Sequence, residues 1–223
     1  MPFTKPELRD LYRVRSKRYD FTANLYYLIG FREWAYRRKA VRQLRLSPGD
    51  TVVEIGCGTG LNFELIQQAI GPTGQLIGVD MTESMLDRAR LRVEQHQWSN
   101  VELIQSDAAT FEFPQEVNGI LSTFALTLVP EFDAVIRNGA EALVDGGRWV
   151  VADLKLPGGR QAWLTRILLP LFRPFGVTID LADRHPWDSI NACLSEFRLN
   201  ESYFGYVYIA SGTKALPPPA ASA

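Results

Sequence analysis

Cysteine and histidine are scarce in this 223-residue chain, with two of each. Cys57 lies inside a glycine loop and Cys193 in a helix-like C-terminal stretch, and neither has the spacing of a metal cluster or a disulfide framework. A reducing compartment fits both. No uninterrupted apolar run reaches the roughly 18 residues that a membrane-spanning helix needs, and the opening MPFTKPELRD carries no apolar leader segment. The expectation is therefore a cytoplasmic protein. Internal repeats are absent, as is any recognisable nucleic-acid-binding module.

What the chain does have is an uneven charge. Residues 1–45 hold 12 Lys/Arg against 4 Asp/Glu, a net of +8; the remainder, 24 − 12 = 12 against 25 − 4 = 21, carries −9. A basic segment on an acidic body is drawn to phosphate-rich surfaces, an anionic membrane or a nucleic acid. The plainer alternative is a solvated helical face folded against its own acidic domain.

Hydrophobic spacing divides the chain. From Lys5 to Leu46 apolar residues such as Leu8, Leu11, Tyr12, Phe31, Trp34 and Ala35 recur at three- and four-residue steps, with breaks near Asp20 and Gly30. After the turn Ser47-Pro48-Gly49-Asp50, TVVEIG reads as a strand buried on both faces. Helix- and strand-like stretches then alternate: Leu61–Ile70, QLIGVD, Glu83–Gln97, VELIQSD, GILSTFA, Glu131–Leu143 and GRWVVADL. Such alternation predicts a parallel sheet with crossover helices on both faces. An apolar, proline-broken stretch, AWLTRILLPLFRPFG, follows and predicts a helical insertion over about 157–192. Two short strands near Phe197–Ser202 and Tyr206–Ser211 then form a hairpin. The fold class is thus α/β: a doubly wound, mostly parallel seven-stranded sheet with an antiparallel C-terminal hairpin, an N-terminal helical arm and a helical insertion before the last two strands. The expected layout is an arm or lid over 1–46, a Rossmann-like domain over 47–212 and a disordered Pro/Ala-rich tail over 213–223.

The most informative residues are Glu54-Ile55-Gly56-Cys57-Gly58-Thr59-Gly60, between the first strand and the first helix after it. Glycines there let the backbone turn sharply and approach a ligand, while the helix N-terminus offers unpaired N–H groups. A dinucleotide loop of the form G-x-G-x-x-G would place its third glycine at position 61, where Leu61 stands. That spacing disfavours a nicotinamide-dependent oxidoreductase.

An acidic residue followed by G-x-G-x-G resembles the first motif of the class I S-adenosylmethionine-dependent methyltransferases. The resemblance runs from about Ser47 to Leu154 and includes Asp80 at the end of the second strand and Ser106-Asp107-Ala108 at the end of the third. It implies S-adenosyl-L-methionine as cofactor, with Gly56, Gly58 and Gly60 beside its methionine part and Glu54 orienting its amino group. Asp80 would accept both ribose hydroxyls, Met81 would lie on the adenine, and Asp107 would accept from the adenine amine with Ala108 offering an N–H. Ser122-Thr123-Phe124, ending the fourth strand, would face the methionine part and the acceptor, although Phe124 reads equally well as core. Where relatives commonly carry an aspartate at the start of that strand, this chain has Glu116-Val117-Asn118.

Tyr19-Asp20, Asn24 and GFREWAYRR resemble the N-terminal region of the ubiquinone/menaquinone C-methyltransferases and the bacterial phospholipid N-methyltransferases. By that resemblance Tyr19 would close the methionine end of the site and stand among its catalytic residues; as a plain aromatic it would pack a helix on the sheet. The aromatic residues Tyr26, Tyr27, Phe31 and Trp34, with Trp163, Leu168, Leu169, Leu171, Phe172 and Phe175, suit a lipid-like acceptor at a membrane interface or a lid over a soluble one. The expected activity is methyl transfer to a small hydrophobic or lipid acceptor, such as a phospholipid amine head group or quinone precursor, peripheral on the inner membrane face. The alternatives are an RNA or protein methyltransferase and a non-catalytic cofactor-binding subunit; nucleic acid is the less favoured partner. If a base is needed, Asp153 at the fifth strand's end and His185 in RHPW are the candidates, His185 also reading as an ordinary turn residue. No metal site is expected.

Overall fold

A computed structural model describes residues 32–156 and 183–216. The basic segment through residue 31, Tyr19 included, and residues 157–182 of the expected insertion lie outside the described residues. The described helices are α1 (Glu33–Leu44), α2 (Phe63–Ile70), α3 (Glu83–His96), α4 (Phe132–Ala142) and α5 (Pro186–Cys193). The strands are β1 (Thr51–Ile55), β2 (Gln75–Asp80), β3 (Val101–Gln105), β4 (Val117–Thr123), β5 (Leu143–Leu154), β6 (Ser195–Ser202) and β7 (Val207–Thr213).

The seven strands form one sheet in the order β3-β2-β1-β4-β5-β7-β6. Strands β1 to β5 pair in parallel, whereas β7 runs antiparallel to both β5 and β6, which is the expected C-terminal hairpin. Both faces are covered, and the period of two along each strand divides its side chains between two cores. Val53, Ile120, Trp149 and Val151 point into the layer under α4 and α5. Val52, Leu121, Val150 and Ala152 point into the layer under α1 and α2. The chain moves outward from β1 to β3, then returns to place β4 on the other side of β1. That reversal opens a crevice beyond the carboxyl ends of β1 and β4, where ligands of open α/β sheets bind.

Three local findings refine the expectations. Helix α1 belongs to the packed domain: Ala40, Val41 and Leu44 are core residues, and the same face carries Glu33 and Arg37 at its first two turns. Trp34 and Ala35 sit outside this buried face. At the other end, β7 runs through Thr213, and Lys214 is fastened to Gly146 and Gly147 by backbone hydrogen bonds, so the ordered chain extends beyond residue 212. Strand entry at β4 is managed by Asn118, whose Oδ1 accepts the Thr51 N–H at 2.8 Å. The missing aspartate is replaced by another short side chain that ties β1 to β4.

Helix α4 packs so closely on the sheet that a Cβ at Gly139 would stand 2.3 Å from the ring of Trp149, itself fully buried. Alanine gains about 1 kcal/mol of helix propensity over glycine, but overpacking a fixed indole costs about 1–3 kcal/mol. We expect Gly139→Ala to lower the urea midpoint; a midpoint at or above that of the parent would show that Trp149 moves without penalty.

Candidate cofactor cleft

The cleft is built from strand tips taken in sheet order. Reading along the carboxyl edge, β3 contributes Ser106, Asp107 and Ala108; β2 contributes Asp80 and Met81; β1 contributes Gly56, Cys57 and Gly58; β4 contributes Thr123 and Phe124. Leu61, Met85, Leu128, Val129 and Pro130 complete an apolar wall, and Arg37 reaches in from α1. Adjacent strands lie about 4.8 Å apart, so the polar tips form a graded row rather than one point.

Asp80 holds the row together. One carboxylate oxygen accepts the Gly58 N–H at 2.9 Å and the other the Thr82 N–H at 2.8 Å. Burial raises its pKa, and these two backbone donors pull it back. The Thr82 side chain donates as well; since two oxygens offer about four acceptor positions, the carboxylate keeps part of its accepting capacity for a ligand hydroxyl.

The loop glycines divide their work. At Gly56 (φ +69°) a Cβ would stand 2.3 Å from that of Ala125, so the residue lets β1 and the post-β4 segment touch. At Gly58 (φ +54°) a Cβ would meet nothing within 4 Å, and the residue borders the cleft. Gly60 (φ +76°) is different: its Cβ would fall 2.7 Å from the Phe63 ring, and it does not border the cleft. Among the described contacts it has a packing role under α2. Arg92 of α3 steadies the loop by donating to the Thr59 carbonyl at 3.0 Å.

Glu54 is fully buried beneath the cleft floor and is not among the residues that border the cleft. One of its oxygens accepts from Asn62 Nδ2 at 2.5 Å, and the same Nδ2 donates to Thr123 Oγ1 at 2.8 Å. Asn62 is a favoured helix-capping residue type, yet its side chain makes no cap bond to α2 because it is turned toward this pair. Burial pushes the Glu54 carboxyl up to about 7, with the Asn62 bond and nearby Arg37 opposing. Glu54 Oε2 and Asn62 Oδ1 are buried acceptors with no donor. Each such unmade bond costs about 1–3 kcal/mol, so the floor of the cleft is short of hydrogen-bond donors.

The remaining expected residues separate. Met81, Ser106, Asp107 and Ala108 border the cleft; Asp107 also accepts the Ala109 N–H at 3.0 Å. Ser122 does not, because period two along β4 sends it to the same side as Ile120, where it is fully buried with Oγ unpartnered. The adjacent Thr123 takes the position foreseen for it. Phe124 resolves toward the cleft, in a left-handed conformation (φ 56°) unusual for an aromatic.

Neither candidate base borders the cleft. Asp153 is buried and spends both oxygens on backbone donors, Thr127 N at 2.9 Å and Leu154 N at 2.7 Å. Burial pushes it up to about 6 against those bonds. Thr127 Oγ1 lies 3.1 Å from the Tyr208 hydroxyl, and Arg184 donates to the Thr127 carbonyl at 2.9 Å. Asp153 therefore positions the turn Leu126–Leu128, whose last residue lines the cleft. His185 stands at the N-cap of α5, about half exposed, stacked on Trp187 and 3.4 Å from Asp188. It is a surface helix-terminal residue.

Sequence reading missed Arg37. Its residue is 5% exposed, its Nε and Nη2 donate to Glu33 Oε1 at 2.9 and 2.6 Å, and its Nη1 donates to Thr123 Oγ1 at 2.5 Å. The guanidinium also lies 5.2 Å from the centroid of the Phe124 ring. The Glu33/Arg37 spacing of four on one helix was the available signal, but nothing in it points to a cleft.

An adenosyl amino acid fits these residues: an open cradle at Gly58, a carboxylate with accepting capacity left at Asp80, and donor-starved acceptors near the β1 and β4 tips. Comparison with known proteins agrees. The sequence profile of a family described as "Methyltransferase domain" matches residues 46–169. A demethylmenaquinone methyltransferase of Listeria welshimeri is 30% identical over 146 residues, 63% of this chain, and the chain spans 62% of that protein's length. An arsenite methyltransferase of Halobacterium salinarum is 34% identical over 110 residues, 49% of this chain and 28% of that protein. Among solved structures, phosphoethanolamine N-methyltransferase 2 of Haemonchus contortus in complex with S-adenosyl-L-methionine superposes with a TM-score of 0.68 at 13% identity, covering 94% of this chain and 60% of that one. A SAM-dependent methyltransferase from Aquifex aeolicus gives 0.60 at 16% identity, covering 80% and 89%. With more than half of its residues matched by the family profile, this chain belongs to the methyltransferase-domain family.

Proposed function

We propose that this chain transfers a methyl group from S-adenosylmethionine to a small hydrophobic or lipid-like acceptor, a quinone precursor or a lipid amine head group. The observation that carries the reading is the asymmetry of the cleft. Its polar tips run from Ser106 to Gly58, whereas Phe124, Ala125, Leu128, Val129 and Pro130 form an apolar wall at the β4 end. When bound, the cofactor supplies an electrophilic methyl carbon on a sulfonium. Asp80 accepts from the ribose hydroxyls, Asp107 from the adenine amine, and Gly58 leaves room for the chain between them. The apolar wall excludes water and aligns the acceptor, which is the main demand of an in-line displacement. Asp153 keeps that wall in place through Thr127.

The names of the relatives, which concern a quinone and a phosphoethanolamine, are compatible with such an acceptor. The +8 charge of residues 1–45 supports attraction to an anionic membrane surface. Among the described residues no helix is long and apolar enough to cross a membrane.

Isotope-labelled methyl transfer across quinol, phospholipid-amine and free phosphoethanolamine acceptors tests the reading. Incorporation into an apolar acceptor is expected. Cofactor binding without turnover on any of them would instead favour a non-catalytic subunit, and steeply salt-dependent RNA binding would favour an RNA substrate.

Two variant comparisons test the cofactor geometry. Asp80→Asn replaces an acceptor oxygen by a donor that opposes the Gly58 or Thr82 N–H, so S-adenosylhomocysteine affinity should fall at least about tenfold in calorimetry; unchanged affinity would remove the central contact. Gly58→Ala should weaken the same ligand and lower the melting temperature only through the strain of its positive φ, since its Cβ enters open space. Gly60→Ala should lower the melting temperature more, through Phe63. Equal thermal losses would contradict this division of labour.

A further inference from the structure

The acidic and glycine-bearing tips account for the base, sugar and thioether of an adenosyl amino acid, but they leave its carboxylate without a counter-charge. Among the described residues lining the cleft the charged side chains are Asp80, Asp107 and Arg37, so Arg37 is the single cation there. Its place in the row follows from topology. The order β3-β2-β1-β4 sets the tips as Asp107, Asp80, Gly58 and Thr123, and Arg37 Nη1 donates to Thr123 Oγ1. With the adenine at Asp107 and the ribose at Asp80, the amino-acid end falls at Gly58 and Thr123. Arg37 therefore meets the part of the ligand that carries the carboxylate.

We propose that Arg37 is a cofactor-binding residue that recognises the carboxylate of S-adenosylmethionine, with Glu33 and Thr123 as its positioning partners. The inference rests on the cofactor reading of the cleft. A buried guanidinium–carboxylate pair contributes little net stability compared with an apolar pair of similar volume, so stability alone gives little reason for its presence at this wall. Bonding both Nε and Nη2 to Glu33 Oε1 fixes the plane of the guanidinium and spends that edge on Glu33, so the Nη1 end, which reaches Thr123, is the part that meets the amino-acid end of the row. Thr123 Oγ1 accepts from both Arg37 and Asn62. A hydroxyl has two acceptor positions and one donor, so Thr123 is left as a donor at the cleft. Beneath it, the donor-less Glu54 Oε2 and Asn62 Oδ1 suit the ligand's ammonium. Donors and acceptors are thus sorted for a zwitterion: cation and hydroxyl above, unsatisfied oxygens below.

The test compares two ligands by calorimetry: S-adenosylhomocysteine, and 5′-methylthioadenosine, which keeps the base, sugar and thioether but lacks the amino-acid arm. The variant is the pair Glu33→Gln with Arg37→Gln, which removes both charges together so that no lone charge is buried. S-adenosylhomocysteine should weaken tenfold or more while 5′-methylthioadenosine stays within about twofold, and Arg37→Lys should recover part of the loss. Equal weakening of both ligands would make Arg37 a structural pin only and overturn the proposal. So would unchanged S-adenosylhomocysteine affinity, including the case in which only the KM of a phosphate-bearing acceptor rises. Failure of the parent protein to bind either ligand would overturn the cofactor reading itself, a result separable from all of these.

Discussion

The Asp80 carboxylate, bonded to Gly58 N–H on one side and Thr82 N–H on the other, is the constraint from which the rest of the cleft takes its shape. It joins the β2 tip to the loop after β1, and Gly56 and Cys57 reinforce the join by donating their N–H groups to the Val79 carbonyl at 2.8 and 3.0 Å. A loop held from both sides can keep three residues at positive φ without collapsing into the space it encloses. Burying that carboxylate is costly, and the bonds that offset the cost also aim its remaining lone pairs outward. Stability and recognition thus draw on one group.

Two buried polar chains flank this node, and they differ in kind. Glu33, Arg37, Thr123, Asn62 and Glu54 form a line from α1 across the β4 tip to β1, and it ends in unsatisfied acceptors. Asp153, Thr127 and Tyr208 form a second group on the other side of β4, in which both carboxylate oxygens are spent. A polar group whose capacity is fully used rigidifies its surroundings, and one with unmet capacity waits for a partner. On the proposed reading the first chain belongs with the ligand and the second with the scaffold.

This distinction explains what was legible in the sequence. The parallel sheet followed from the alternation of strand- and helix-like stretches, because its central strands are buried on both faces and leave an unbroken β-branched signal. The places of Asp80, Met81 and Ser106–Ala108 along the cleft followed from motif spacing, since backbone tips of successive strands are fixed by the sheet itself. Side-chain direction was less accessible. Ser122 and Thr123 differ only in strand parity, and a tip residue's parity depends on where pairing stops; Asp153 lies at a strand's end, as a ligand group would, yet both its oxygens are turned to neighbouring backbone donors. Gly60 shares the motif's glycine pattern but answers to Phe63, a contact that needs the helix in place. Arg37 was hidden for a different reason: its charge counted toward a basic segment, whereas burial and the i,i+4 Glu33 remove it from that account.

The strain at Phe124 connects the two halves of the cleft. An aromatic at positive φ costs about 1–3 kcal/mol, and here it is held by its N–H to the Ala152 carbonyl at 2.8 Å, by Arg37 against its ring and by the close approach of Ala125 to Gly56. Relaxing the backbone to negative φ would swing the ring out of the cleft and break the contact with Arg37. The same residue therefore bounds the charged end on one side and opens the apolar wall of Leu128 and Val129 on the other. A methyl group passing from sulfonium to acceptor must cross the boundary between those two environments. A rigid ring at that boundary fixes where the polar part of the cleft stops and where its apolar wall begins.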